Sequence, residues 1–216
     1  MQILQKQCCI FACEMQIKKL ISEGEHQRQD FKYAVTNVSK IAHSLSAFAN
    51  TDGGRLLIGV RDNGTLAGVQ SDEEIYMIDA AATQCRPEVD CHMEVVREDG
   101  KQILIATIDP APLRPVQCRE EDGTYRAYIR KADENIVASP LHLELWRQLS
   151  GNRELTLTDS DHRLLQHFAN GPLTLNQFCR KSGLKRHRAI RLLAGWIRYE
   201  ILQLTYKEPQ WLIHCP

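Results

Sequence analysis

A chain of 216 residues, 43% hydrophobic and 25% charged, can bury a real core and has room for roughly one and a half to two domains. No apolar run reaches the roughly 18 residues that a membrane span needs, and the Ile10-Phe11-Ala12 patch is too short for a signal h-region, so a cytoplasmic chain with no membrane partner is expected. The formal net charge of zero conceals 17 basic against 22 acidic residues through Asn152 and 10 against 5 from Arg153 onward, which points a polyanion partner at the C-terminal part.

In chain order, residues 1–14 read as an N-terminal extension, with Met15 a plausible true start because recognisable structure begins there. Met15 to Ser22 is predicted as a short helix and Asp30 to Val35 as an extended segment. Val38, Ile41, Ala42, Leu45, Phe48 and Ala49 fall at helical spacing, and Gly53-Gly54 ends that helix. Leu56 to Val60 is an unbroken apolar strand, Asp62-Asn63-Gly64-Thr65 an Asn-Gly turn, and Leu66 to Val69 its returning partner. Ser71-Asp72-Glu73-Glu74 has the pattern of a capping box, opening a helix with Ile75, Ile78 and Ala82 inward.

Glu88 to Val96 and Gln102 to Ile108 are predicted as a hairpin about Glu98-Asp99-Gly100-Lys101, followed by a Pro110–Pro115 loop and a strand at Tyr125 to Arg130. Ser139-Pro140 caps a helix that turns Leu141, Leu145, Trp146 and Leu149 to a core. This mixture of hairpins and helices over residues 15–149 is α+β, a mixed sheet with packed helices. Residues 150–155 read as a linker. Over residues 156–216 three helices (Asp159 to Ala169, Leu175 to Lys181, Lys185 to Tyr199) precede a hairpin about Lys207-Glu208-Pro209, the order of a small winged helix-turn-helix domain.

Eight cysteines occur without a Cys-x-x-Cys pair, so buried reduced thiols are expected; Cys85, Cys91, His92 and Cys118 are the set that could assemble a zinc site in space. The glycines match neither a Walker phosphate loop nor a dinucleotide fingerprint, so no ATP site is expected. His43 falls on the polar side of its helix, where a solvated histidine is expected.

Two constellations carry chemistry. The first is Glu25, Asp30, Lys32 and Asp62. Strand alternation puts Asp30 and Lys32 on one face, and Asp62 ends a neighbouring strand. Carboxylates that converge this way would hold Mg²⁺ or Mn²⁺, which take oxygen ligands, and would serve a phosphodiesterase. The second is Lys185, Arg186, His187, Arg188 and Arg191 on the last predicted helix, outward while Ala189, Leu192, Leu193 and Trp196 pack inward. Such a helix suits a major groove, with arginines on guanine edges or phosphates.

The string Phe48-Ala49-Asn50-Thr51-Asp52-Gly53-Gly54 before the Leu56–Val60 strand, with Gly24-Glu25 and Asp30-Phe31-Lys32 upstream, resembles the Schlafen-type AlbA domain over about Met15 to Leu149. The resemblance implies a nucleic-acid-associated module. In Schlafen proteins the ribonuclease site is a Glu, an acid five residues on before Phe-Lys, and an Asp after the Gly-Val strand; Glu25, Asp30 and Asp62 stand at those places, with Asp30 where Glu is usual and Arg61 where an acid is common. Schlafen proteins carry two AlbA-type copies that face each other and this chain carries one, which implies a homodimer. A DNA-binding bacterial transcriptional regulator is the expected function. A divalent-metal ribonuclease acting on RNA through Glu25, Asp30 and Asp62 stands beside it, and a docking module without nucleic acid is the third possibility.

Overall fold

A computed structural model of the chain describes residues 17–69, 71–151 and 154–216; Met15, Cys8, Cys9 and Cys13 lie outside them. The chain divides into two units between Val137 and Ala138. The helix at Pro140–Leu149 therefore belongs to the second unit, whereas the sequence reading placed it in the first and put the linker after it.

The first unit opens on helix α1 (residues 17–23). Strands β1 (Gln29–Lys32), β2 (Gly54–Ile58), β4 (Cys91–Glu98) and β5 (Lys101–Ile108) form a mixed sheet in the order β1-β2-β5-β4. Its β1–β2 pair is parallel, with Asp30 opposite Leu56 and Lys32 opposite Ile58. A second sheet, β3 (Cys85–Arg86), β6 (Gln117–Arg119), β7 (Tyr125–Lys131) and β8 (Glu134–Val137), is antiparallel in the order β3-β6-β7-β8.

Helix α2 (Val38–Asn50) shares one core with both sheets and with helix α3 (Glu73–Thr83), through Ile41, Leu45, Phe48, Leu56, Ile58, Ile78, Leu104, Val116 and Tyr128. From Ile41 to Asn50 every residue but His43 is buried, so α2 is enclosed rather than turned to the core on one apolar face. The other face of the mixed sheet packs Phe31, Leu57, Ile103 and Ile105 against Ile17 and Leu20 of α1.

Enclosing α2 requires partners for its polar residues. Ser46 Oγ donates to Val116 O at 2.9 Å and accepts from Tyr128 N at 3.0 Å. Asn50 Nδ2 donates to Val116 O at 2.8 Å and Tyr128 O at 2.9 Å, while its Oδ1 accepts from Val116 N at 2.8 Å. Thr51 Oγ1 accepts from Arg130 N at 2.9 Å. The Phe-Ala-Asn-Thr string is thus the stitching that ties α2 to β6 and β7. Its glycines complete the turn: Gly53 has φ +68°, and a Cβ on Gly54 would stand 2.4 Å from the Phe48 ring.

Several expectations change. The Asn63-Gly64 turn forms, with Gly64 at φ +79°, but Leu66 pairs only as a single bridge with Val60, and residues 66–69 are not a strand. Gly59 at φ +90° and Gly68 at φ +86° break the ladder there. The capping box at Ser71 does not form. Asp72 stands at the cap without a side-chain bond, and Glu74 Oε2 accepts from Val35 N at 2.8 Å instead. The β4–β5 hairpin turns on Asp99 and Gly100, both at positive φ as an Asp-Gly turn of type I′ demands.

The second unit comprises α4 (Pro140–Leu149), α5 (Asp159–Leu165) with a 3-10 turn at Gln166–Phe168, α6 (Leu175–Ser182), α7 (Arg186–Arg198) and an antiparallel hairpin of β9 (Gln203–Lys207) and β10 (Gln210–His214). Its core holds Leu141, Phe168, Phe178, Ala189, Leu193, Trp196, Leu202 and Ile213. Leu149, expected in a core, is 57% exposed. Thr158 and Thr174 cap α5 and α6 through boxes with Asp161 and Gln177, and Gly183 ends α6 in the left-handed region. Among the described residues no helix is long and apolar enough to cross a membrane.

Candidate functional site

The tight return between Glu25 and β1 sets the first site. Gly24 takes φ +71°, and His26 and Gln29 exchange backbone bonds at 3.0 and 3.1 Å. That loop folds Glu25 back on the strand it precedes, where Glu25 Oε1 accepts from Phe31 N at 2.9 Å and its carboxyl meets that of Asp30. Asp30 is 3% exposed. Its Oδ2 lies 2.9 Å from Lys32 Nζ and accepts from Ser44 Oγ at 3.4 Å, and its Oδ1 lies 3.5 Å from Arg130 Nη2. Arg130 is itself buried on β7 and held by Gln29 O at 3.1 Å and Asn135 Oδ1 at 3.0 Å.

Burial raises the Glu25 carboxyl, and the hydrogen bond with Asp30 raises it further. Burial also acts upward on Asp30, but the bond from Glu25 and the charges of Lys32 and Arg130 outweigh it and hold Asp30 below its ordinary value. When the pair holds a single proton, that proton therefore sits on Glu25 rather than Asp30. The signs of the two contributions are opposite. Asp30 stabilises the fold above its unfolded value of 3.8 and loses that contribution as pH falls through its lower folded value. Glu25 contributes fully below 4.5 and loses its contribution as pH rises through its higher folded value. Removing the titrating carboxyl with Glu25→Gln is expected to flatten the decline of stability just above pH 4.5 and leave the acid limb in place, as read by denaturant unfolding across pH. An unchanged profile would refute the assignment.

Asp62 does not join this pair. It is exposed in the turn after β2, where Gly64 N donates to Arg61 O and Arg61 N to Thr65 O. Among the described residues the only group of three ligating side chains with donor atoms within 4.8 Å of one another is His43, Cys118 and Glu120, not Glu25, Asp30 and Asp62. Lys32 and Arg130 already balance the Asp30 charge, so a divalent cation at Asp30 would meet two fixed cations. Arg130 was not singled out in the sequence. It ends a strand that otherwise reads as partly apolar, and nothing local marks it as the partner of a residue a hundred positions upstream.

The four residues that could have assembled a zinc site do not come together either. Cys85 and Cys118 oppose each other across β3 and β6, but Cys91 and His92 stand on β4 of the other sheet, opposite Ile108 and Thr107. His43 is not solvated as expected. Its ring stacks on Tyr128 at 4.2 Å and its Nε2 lies 3.2 Å from Glu120 Oε2.

In the second unit Lys185, Arg186, His187, Arg188 and Arg191 are all exposed, and Ala189, Leu193 and Trp196 are buried beneath them. Leu192 is partly buried against the same core. Lys185 is the cap residue of α7 and makes no side-chain cap bond; Arg186, His187 and Arg188 fill a first turn that holds no acid. Cations at a helix N-terminus oppose the macrodipole, at a cost of about 0.3–1 kcal/mol each at low salt. Arg186 is steadied by a hydrogen bond to Asn176 Oδ1 on α6. The basic turn thus concentrates side-chain charge, backbone N–H groups and dipole of one sign at a single exposed spot.

Against known proteins, the family described as Schlafen, AlbA_2 matches residues 25–139. No curated protein matches. Among solved structures, the DIP2311 protein from Corynebacterium diphtheriae is similar with a TM-score of 0.47 and 16% identity, over 78% of this chain and 32% of that one, so this chain spans about a third of that protein's length. The N-terminal domain of a protein described as an ATP-dependent DNA helicase RecG-related protein from Nitrosomonas europaea is similar with a TM-score of 0.40 and 18% identity, over 68% of this chain and 95% of that domain.

Proposed function

The chain belongs to the Schlafen AlbA_2 family, and from that premise we propose that it is a DNA-binding protein, a bacterial transcriptional regulator whose C-terminal unit is a winged helix-turn-helix with α7 as recognition helix. The observation that carries this reading is the uncompensated basic turn at Lys185, Arg186, His187 and Arg188, continued by Arg191. Folding alone disfavours that placement, and a phosphate backbone rewards it. Helix α6 before it carries Arg180 and Lys181 in its last turn, which adds to the same field. The hairpin β9–β10 stands in the position of the wing.

The nucleic-acid association of the AlbA_2 family agrees with this reading. A single recognition helix reads one half-site, so the acting species in this reading is a homodimer, and light scattering of the full chain gives its mass. The ribonuclease reading through Glu25, Asp30, Lys32 and Asp62 with Mg²⁺ or Mn²⁺ stands second. The Glu25–Asp30 pair favours it, and the two cations on Asp30 weigh against it. Mn²⁺-dependent RNA cleavage that is lost in Asp62→Ala would bring it forward.

Duplex binding by the full chain, followed by fluorescence anisotropy from low to moderate NaCl, tests the first reading. If four cations each neutralise a phosphate, log K should fall against log salt with a slope of about −3 to −4. Binding with no salt dependence, or none at low salt, would sink it.

A further inference from the structure

We propose that His43, Cys118 and Glu120 form a metal site for a divalent transition metal of the zinc class, which clamps α2 to β6. The placement follows from the fold. Cys118 lies in β6 and Glu120 two residues on, so strand alternation sends both side chains to one face. That face is the one α2 packs against, and His43 is the residue between Ile41 and Asn50 that escapes full burial. The three donor atoms come within 4.8 Å of one another.

The surroundings hold these donors in place. Tyr128 OH donates to Glu120 Oε1 at 3.0 Å, leaving Oε2 facing His43 Nε2 at 3.2 Å. The Tyr128 ring stacks on the imidazole at an interplanar angle of 22° and fixes its plane. Such outer partners orient metal ligands and are themselves worth about tenfold to a hundredfold in affinity. Cys85, which faces Cys118 across the strands, is turned elsewhere: its thiol lies 3.5 Å from Ala81 O and 3.8 Å from Ala42 O. The Cys118 thiol has a carbonyl neighbour too, Arg126 O at 3.6 Å, but of the two cysteines its sulfur alone falls within 4.8 Å of the His43 and Glu120 donors, so one cysteine serves the site.

The donor set selects the ion. A thiolate with an imidazole and a carboxylate suits Zn²⁺ and its close relatives, and disfavours Mg²⁺ and Ca²⁺, which take oxygen. Three protein donors leave one tetrahedral position, and the cleft lined by Asn37, Lys40, His43, Glu121 and Arg126 gives it access to solvent. On binding, the metal takes the place of the Cys118 thiol proton, which passes to solvent, and His43 presents Nε2 with its proton on Nδ1. The site is separate from Glu25, Asp30 and Asp62 and independent of the DNA-binding reading.

The test is Co²⁺ titration of the reduced, chelator-stripped full chain. One equivalent should produce a thiolate-to-cobalt charge-transfer band in the near ultraviolet, and Zn²⁺ should abolish it stoichiometrically. Cys118→Ser should lack the band. His43→Gln and Glu120→Gln alter half-buried positions, so they keep the test open if Cys118→Ser does not fold; each should weaken Co²⁺ binding at least tenfold. Tyr128→Phe should weaken it about tenfold through Glu120. A variant with Cys8, Cys9 and Cys13 all changed to Ser should bind as the parent does. No band in the parent, a band that survives in Cys118→Ser, or parental affinity in both His43→Gln and Glu120→Gln would overturn the site.

Discussion

Reversal of Arg186, Arg188 and Arg191 to glutamate is expected to abolish duplex binding while leaving the second unit folded, at a small cost where Arg191 faces Glu144. The three side chains are exposed, so no core contact is lost. The first turn of α7 holds no acid, and two of the three substitutions put carboxylates where the helix dipole welcomes them. The gain there, about 0.3–1 kcal/mol each, offsets the lost Arg186–Asn176 bond. The usual objection to a multiple charge reversal, that it unfolds the helix, is therefore weak for this one. Each neutralised phosphate contributes about one unit to the salt slope, so removing three contacts flattens it by about three and adds repulsion besides. Thermal unfolding and anisotropy on the same sample decide the matter. Parental binding by a folded triple variant rejects α7 as the recognition helix. A lost fold rejects the dipole argument.

The parts legible in the sequence were those encoded locally. The period of α2, the Gly53-Gly54 stop, the Asp99-Gly100 hairpin and the Thr174 cap each depend on residues within a few positions of one another, and the structure has them within a residue or two of the expected places. The Asp30–Lys32 pairing was legible for the same reason, since alternation on one strand suffices.

What was missed is long-range. Strands β3, β6 and β8 have two to four residues, too few to show a period, and exist because they pair into one sheet, β6 and β8 on β7 and β3 on β6. The Ser71 capping box is a sound local pattern, but Glu74 is taken by Val35 N from thirty-nine residues upstream. Leu149 keeps its helical phase yet lies at the last turn of α4, where it is more than half exposed. The carboxylates illustrate both regimes at once. Glu25 and Asp30 meet through a short loop, whereas the cations that decide their chemistry include Arg130 from the second sheet, and Asp62, on an exposed turn, does not complete a cluster of three with them. His43 was read from its own helix alone, and only the approach of Tyr128 and Glu120 shows what it does.

Substitution of Asn50 is expected to be among the most destabilising single changes in the first unit. Asn50 is 3% exposed and uses its whole amide on three backbone groups, Val116 O, Tyr128 O and Val116 N. Val116 O keeps a second donor in Ser46 Oγ, so the exposed debt in Asn50→Ala falls on Val116 N and Tyr128 O. Two buried groups left unpaired at roughly 1–3 kcal/mol each, with a small cavity added, give a loss of about 3–5 kcal/mol. Asn50→Asp separates hydrogen bonding from shape, because the side chain is isosteric while the Nδ2 donor becomes an oxygen facing two carbonyls. At neutral pH that variant should be at least as damaged as the alanine. Its carboxyl, buried among acceptors, has a folded pKa above the unfolded value of about 3.9. The sign is then fixed: the loss is smallest below the unfolded value, where a protonated carboxyl regains one donor, and grows as pH rises through the folded value. Urea unfolding of the parent and both variants at neutral and acid pH reads this directly, with the midpoint moving and the slope constant. If Asn50→Asp matched the parent at neutral pH, the stitching of α2 to the second sheet would have to be assigned to Ser46 and Thr51 alone.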